Sequence, residues 1–284
     1  MTAATSPTDW RGGWTGPALL LAPVCLLLLL VFLLPIGLLL SRSLFEPDFT
    51  LEHYARLLGN SIYPQIFWLS LRYALISTLL ALLASYPVAY VLSRASESWR
   101  ALLLLCVLLP FWTNVLVRCY AWMLLLQVKG AVNLALVDWL HLLPAPLPLM
   151  FNRIGAVIGM VHYLMPIAIL ILDTNMRATD GRLMRAASSL GASPARAFFF
   201  VFLPQTWPGL RAAGILTFIG AIGSFVIPAL LGGPRDVTFA MLVNTEFSET
   251  MNWGFGTALA TVLLLVTLLL LGLSYALQTR GSRA

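Results

Sequence analysis

Six windows of about 20 mostly apolar residues recur along the chain, at about residues 18–40, 67–92, 101–126, 154–172, 210–231 and 257–277. A helix rising about 1.5 Å per residue needs that length to cross the roughly 30 Å hydrocarbon core of a bilayer. Composition agrees with that demand. The chain is 60% hydrophobic and 10% charged, whereas soluble domains carry roughly a quarter charged residues. The connecting segments are too short for a separate globular unit. The expectation is therefore one all-α integral membrane domain over residues 1–284, with six transmembrane helices.

The first window follows Arg11 and could be mistaken for a secretion signal. Its apolar run is longer than the usual ~7–15 residues, and no clear A-x-A site follows, so it reads as a retained span. Cys25, Cys106 and Cys119 all fall inside windows without CxxC or metal-ligand spacing, and read as small apolar fillers.

The net charge of +6 gains meaning once it is divided between the loops. With a cytoplasmic N-terminus, that side holds Arg11, Arg94, Arg100, Arg177, Arg182, Arg185, Arg196, Arg211, Arg280 and Arg283. The opposite side holds Arg42, Arg56, Lys129, Arg153 and Arg235, half as many. Basic loops are retained in the cytoplasm during insertion, so both termini are expected there. The same rule accounts for the basic face, and nothing calls for nucleic acid. Glu46, Asp48, Glu52, Asp138, Asp236, Glu246 and Glu249 fall on the outer side, leaving no acid inside any window.

One cytoplasmic loop, about residues 173–209, is patterned rather than merely polar. Leu183, Ala186, Ala187 and Leu190 follow i, i+3, i+4, i+7 spacing and form one face of a short helix. Gly191 is placed to end it, and Ser193-Pro194 to cap and restart a second helix. Ala195, Phe198, Phe199 and Phe202 repeat the spacing. Leu203-Pro204 and Trp207-Pro208-Gly209 should then break the chain before the fifth span. Such an element could lie in the lipid interface, fold back as a gating loop, or serve as a knob for a soluble partner. The small residues at 186–187 and 191–193 favour the knob, because lipid-facing helices gain more from bulky side chains.

The stretch "RAASSLGASPARAFFFVFLPQTWPGL", residues 185–210, resembles the EAA loop of ABC-importer permeases. Ala186, Ala187, Leu190, Gly191, Ala192, Leu203, Pro204, Pro208 and Gly209 match that pattern, while Arg185 stands where the family usually has glutamate. Residues 108–133, 218–233 and 252–260 are similar to polyamine-type permeases, near the spermidine/putrescine group, whose relatives import other small solutes. The resemblance implies a bacterial inner-membrane permease subunit whose loop is a coupling helix seated in a cleft of an ATP-hydrolysing subunit. Arg185, Ala186, Ala187, Leu190, Gly191, Ala192, Ser193, Phe199, Leu203 and Pro204 would carry that contact. It also implies an extracytoplasmic solute-binding protein, and a second permease copy or paralogue to complete the pore. ATP and Mg would then reside on the partner ATPase.

The chain's own residues fit that division of labour. Its one lysine, Lys129, precedes Gly130-Ala131, so no G-x-x-x-x-G-K-[ST] phosphate cradle exists. His53, His141 and His162 are far apart, with neither H-E-x-x-H nor G-x-S-x-G, which argues against an enzyme. Ion-driven transport is the rival reading. The absence of acids from the windows weakens a proton relay but leaves open sodium held by backbone carbonyls.

Two arginines fall inside windows. Arg72 lies near the outer end of the second, where its stem can snorkel. Arg118 lies deeper, where a charge costs about 2.5–3.5 kcal/mol on insertion scales unless it faces protein or water. Asn114, Arg118 and Trp122 form an i, i+4, i+8 stripe expected to border the translocation path or seal an interhelical contact. Pro87, Pro110, Pro166 and Pro228 are candidate hinges, and Gly220 with Ser224 a small-xxx-small face.

Overall fold

A computed structural model describes the backbone of residues 15–46 and 48–281, and side chains within 21–46, within 48–272 and at Tyr275. Arg11 and Arg283, and the side chain of Arg280, lie outside the described residues. Every regular element among the described residues is helical.

Helix α1 covers residues 15–45, with a π-type turn at Leu29–Leu33. Its apolar side chains from Leu21 to Leu34 are exposed on all sides, as a helix surrounded by lipid tails would be. A short helix α2 (Glu52–Gly59) leads into α3 (Ile62–Arg94), which runs 33 residues. Next come α4 (Glu97–Trp112), α5 (Val115–Leu126) and α6 (residues 131–139). Helix α7 (Arg153–Ala178) precedes the short α8 (Gly181–Ser189) and α9, which covers residues 194–222. Three helices finish the chain: α10 (Val226–Leu231), α11 (Phe239–Ser248) and α12 (Trp253–Gly281).

The core is the three-way packing of α3, α7 and the second half of α9. Ala74, Ala81 and Ala89 on α3 are fully buried, as are Ala156 and Ala168 on α7 and Ala213 on α9. Lipid tails are as apolar as leucine, so burial alone does not hold such helices together. Small side chains allow close approach and dispersion contacts instead. Hydroxyls reinforce it: Ser85 Oγ donates to the Met165 carbonyl at 3.3 Å, and the Tyr86 hydroxyl meets Thr206 Oγ1 at 2.8 Å. Close approach is also imposed at Gly209, where an added Cβ would collide with the Asn175 side chain. At the opposite end, Phe239 N donates to Ser70 Oγ at 2.7 Å, and Arg153 Nε meets Asp236 Oδ1 at 3.3 Å.

Four expectations need correction. Among the described residues, five stretches are long and apolar enough to cross a membrane: Leu21–Phe45, Ile62–Arg94, Val115–Trp139, Arg153–Ala178 and Trp253–Gly272. The window at 101–126 is not one helix but α4 and α5, separated at Thr113 and Asn114. The cause is local. Pro110 lacks an N–H, Thr113 N and Oγ1 both turn back to the Pro110 carbonyl, and Asn114 accepts from Leu116 N at 2.8 Å as an N-cap. The window at 210–231 is likewise divided, between α9 and α10, so Ser224 falls outside the helix that carries Gly220.

Third, Leu203-Pro204 and Trp207-Pro208-Gly209 do not break the chain. Helix α9 passes through them by way of a π-type turn at Phe198–Phe202, which loosens the backbone just ahead of Pro204. Fourth, one acid does lie inside a span. Helix α7 extends past the apolar window, and Asp173 within it is 2% exposed.

Candidate functional site

The patterned loop forms the helix–turn–helix its spacing predicts. Asp180 caps α8, its Oδ1 accepting from Arg182 N at 2.9 Å. The helix closes through Gly191, at φ 84°, with Ala192 N donating to the Ala187 carbonyl at 3.0 Å. That left-handed position costs a glycine nothing and would strain most side chains. Ser193 then caps the next helix, accepting from Arg196 N at 3.4 Å with Pro194 in the first turn.

The two stripes meet different fates. Leu183, Ala186 and Leu190 on α8 are exposed, Leu190 to 89%, and α8 contains no buried residue. On α9 the anchor is Ala197, Phe198 and Phe202, with the Phe198 ring edge-on to Tyr86 and Tyr90. Ala195 and Phe199 are exposed, contrary to the 3.6-residue pattern. Phe199 falls within the π-type turn, whose i→i+5 bonding takes side chains out of α-helical register, whereas Ala195 precedes that turn. Leu203 is half-buried and Pro204 exposed. The loop thus stands on an aromatic footing and presents an unpartnered apolar tip.

A second contact steadies the same end of the molecule. Arg100 Nη2 donates to Asp173 Oδ2 at 2.7 Å, joining the first turn of α4 to the end of α7, just ahead of the loop. Sequence spacing does not show this pair, because its members are distant in the chain and Asp173 sits at the edge of an apolar window.

The candidate path residues assemble around the α4–α5 break. Asn114 is the N-cap of α5 and exposed, and its carbonyl accepts from Arg118 N at 3.1 Å. Arg118 is 7% exposed, and its Nη2 donates to the carbonyls of Pro110, Phe111 (3.3 Å) and Thr113 (3.1 Å). These carbonyls lie at the end of α4 and its C-cap, where i→i+4 partners run out, and the Pro110 carbonyl also accepts from Thr113 N and Oγ1. A guanidinium with five donors is suited to that cluster. Its charge is favourable beside the negative end of a helix dipole. The half-buried Trp122 meets His162 edge-on, ring centroids 5.4 Å apart. The visible signal for this arrangement is Pro110 followed by Asn114, a stop and a cap within one turn.

Among the described residues, no group of three or more His, Cys, Asp or Glu side chains could hold a metal ion.

Residues 79–283 match the family described as binding-protein-dependent transport system inner membrane component. The chain is 38% identical over 226 residues to the spermidine/putrescine transport system permease protein PotB of Haemophilus influenzae, covering 80% of this chain and 78% of that one. Its Escherichia coli counterpart is 34% identical over 243 residues, 86% of each chain. The fold is similar to that of a bacterial alginate ABC transporter solved in complex with an alginate pentasaccharide-bound periplasmic protein. There the TM-score is 0.76 at 16% identity, over 94% of each chain. With a family match that takes in the broken span, the core helices and the capped, outward-facing loop, the chain belongs to the inner membrane components of binding-protein-dependent transport systems.

Proposed function

We propose that this chain is the permease subunit of an ATP-binding-cassette importer for a polyamine such as spermidine or putrescine, delivered by an extracytoplasmic binding protein. The observation that carries the reading is the identity of 34–38% to two spermidine/putrescine permeases over most of the chain. The exposed stripe of α8 supports the energy-coupling half. Leu183, Ala186 and Leu190 offer an apolar tip to a soluble ATPase, with Arg185, Ala187, Gly191, Ala192, Ser193 and Phe199 beside them and Leu203 and Pro204 at the base. ATP and Mg belong to that ATPase, because this chain lacks the phosphate cradle.

In this reading the chain crosses the membrane six times, with α4 and α5 together making the third crossing and α9 the fifth. Both termini face the cytoplasm, as the arginine distribution favours. A second permease, either a copy or a paralogue, completes the pore. Asn114, Arg118 and Trp122, at the α4–α5 break, border the path.

The test is reconstitution of the chain with its co-purifying subunits in liposomes, followed by radiolabelled spermidine uptake. Uptake should require both ATP and the binding protein. Recovery of the chain without any ATPase, or uptake driven by an ion gradient alone, would overturn the proposal.

A further inference from the structure

A cavity of about 340 Å³ lies where the last turns of α3 and α7 meet the first turns of α8. Arg94, Arg177 and Arg185 line it, together with Asp180, Met184 and Phe202. Three arginines thus share the cavity with a single carboxylate, one oxygen of which is already engaged as the α8 cap. None of the three arginines forms a salt bridge among the described residues. Arg94 lies over the rings of Tyr90, at 4.5 Å, and Phe202, at 5.2 Å. It also borders a second, mostly apolar groove of about 550 Å³, whose walls include Val91, Trp99 and Leu103.

A basic cavity and an apolar groove that share Arg94 as a wall, at the ends of membrane-spanning helices, match the two halves of one kind of molecule. We propose that the pair of cavities binds an anionic phospholipid of the cytoplasmic leaflet. Its phosphodiester sits between Arg94 and Arg177, and one acyl chain lies along Val91, Trp99 and Leu103. Guanidinium forks suit the paired non-bridging oxygens of a phosphodiester. Long arginine stems place those forks at headgroup depth. A free phosphate would satisfy the basic half and leave the groove without an occupant. Because Met184 and Arg185 belong to α8, an occupied site braces the loop against α3 and α7.

The leaflet rests on the orientation proposed above; the lipid chemistry does not. The full chain, in its complex with the ATPase subunits, is exchanged into mixtures of phosphatidylglycerol and phosphatidylcholine, and retained lipid is counted by native mass spectrometry. Phosphatidylglycerol should be retained in preference, and millimolar inorganic phosphate should not displace it. Each charge removed should weaken retention about fivefold, so Arg94→Gln with Arg177→Gln should lose at least about tenfold. The charge-preserving pair Arg94→Lys with Arg177→Lys should recover most of it. Equal retention of the two lipids, or no loss in the glutamine variant, would overturn the proposal. So would loss in both variant pairs, displacement by phosphate, or an ATPase side chain filling the cavity. The readout is bound lipid rather than uptake, so its failure leaves the transport reading standing, and the reverse also holds.

Discussion

Arg100 and Asp173 are unequally placed: the arginine side chain keeps 31% of its surface in contact with solvent, the aspartate 2%. Removing either partner therefore has different consequences. Without Arg100 a carboxylate is stranded in the interior, a loss of about 3–5 kcal/mol for buried pairs. Without Asp173 the arginine can turn outward and rehydrate. Arg100→Ala should thus lower the melting temperature clearly more than Asp173→Asn, as measured by thermal unfolding in detergent; the opposite order would refute the asymmetry. Arg118 works on backbone rather than on an acid. Arg118→Ala would remove the donor that the Phe111 and Thr113 carbonyls share, while the Pro110 carbonyl keeps Thr113 N and Oγ1. The expected outcome is uptake reduced at least tenfold in complexes that still assemble, and wild-type uptake would remove Arg118 from the path. Arg185 lacks an acidic partner within the described part of the chain. The ATPase surface it meets should then be acidic or neutral. Arg185→Glu should lower solute moved per ATP hydrolysed, and a rise would overturn that assignment.

At the scale of elements, α8 and its turn behave as a unit whose tip contributes nothing to the fold. Leu190→Glu, at an 89% exposed position, should leave stability within about 0.5 kcal/mol. It should weaken ATPase association roughly tenfold, equivalent to about 1.4 kcal/mol, in a pull-down titration. Unchanged association would show that the tip is not the docking surface. This element was also the most legible in the sequence, because caps act locally: Asp180, Gly191 and Ser193 announce their geometry within four residues. Periodicity failed one turn later. Phe199 carries the same apolar signal as Phe198 and Phe202, and only the π-type turn separates them. Helix ends inside apolar windows were equally hidden. Hydropathy averages over Thr113 and Asn114, and over Gly223 and Ser224, so a broken helix and a straight one look alike. Asp173 lies one residue past its apolar window, and a paired acid can extend a buried helix beyond its apolar stretch.

Across the whole molecule, small residues at the α3–α7–α9 crossings make the core, while α1 is bare from Leu21 to Leu34 and packs against α12 through its second half. Helix α9 links the two ends of that core. It starts at the capped turn beside α8 and continues without interruption to Ile222, a distance of about 40 Å at 1.5 Å per residue. Gly209, pressed against Asn175, fixes where it crosses α7. The loop and the crossing helix are therefore one mechanical part, a lever with its fulcrum near Gly209. Tilting its lower arm should displace the upper arm the opposite way as long as the π-type turn at Phe198–Phe202 holds. Paired spin labels at Arg196 and at Leu216 should then report a single transition with one rate when nucleotide is added. Two separable rates would mean that the helix bends at its π-type turn. A rigid lever also removes any need for a chemical signal inside the membrane: stroke length is set by where the fulcrum lies along the rod.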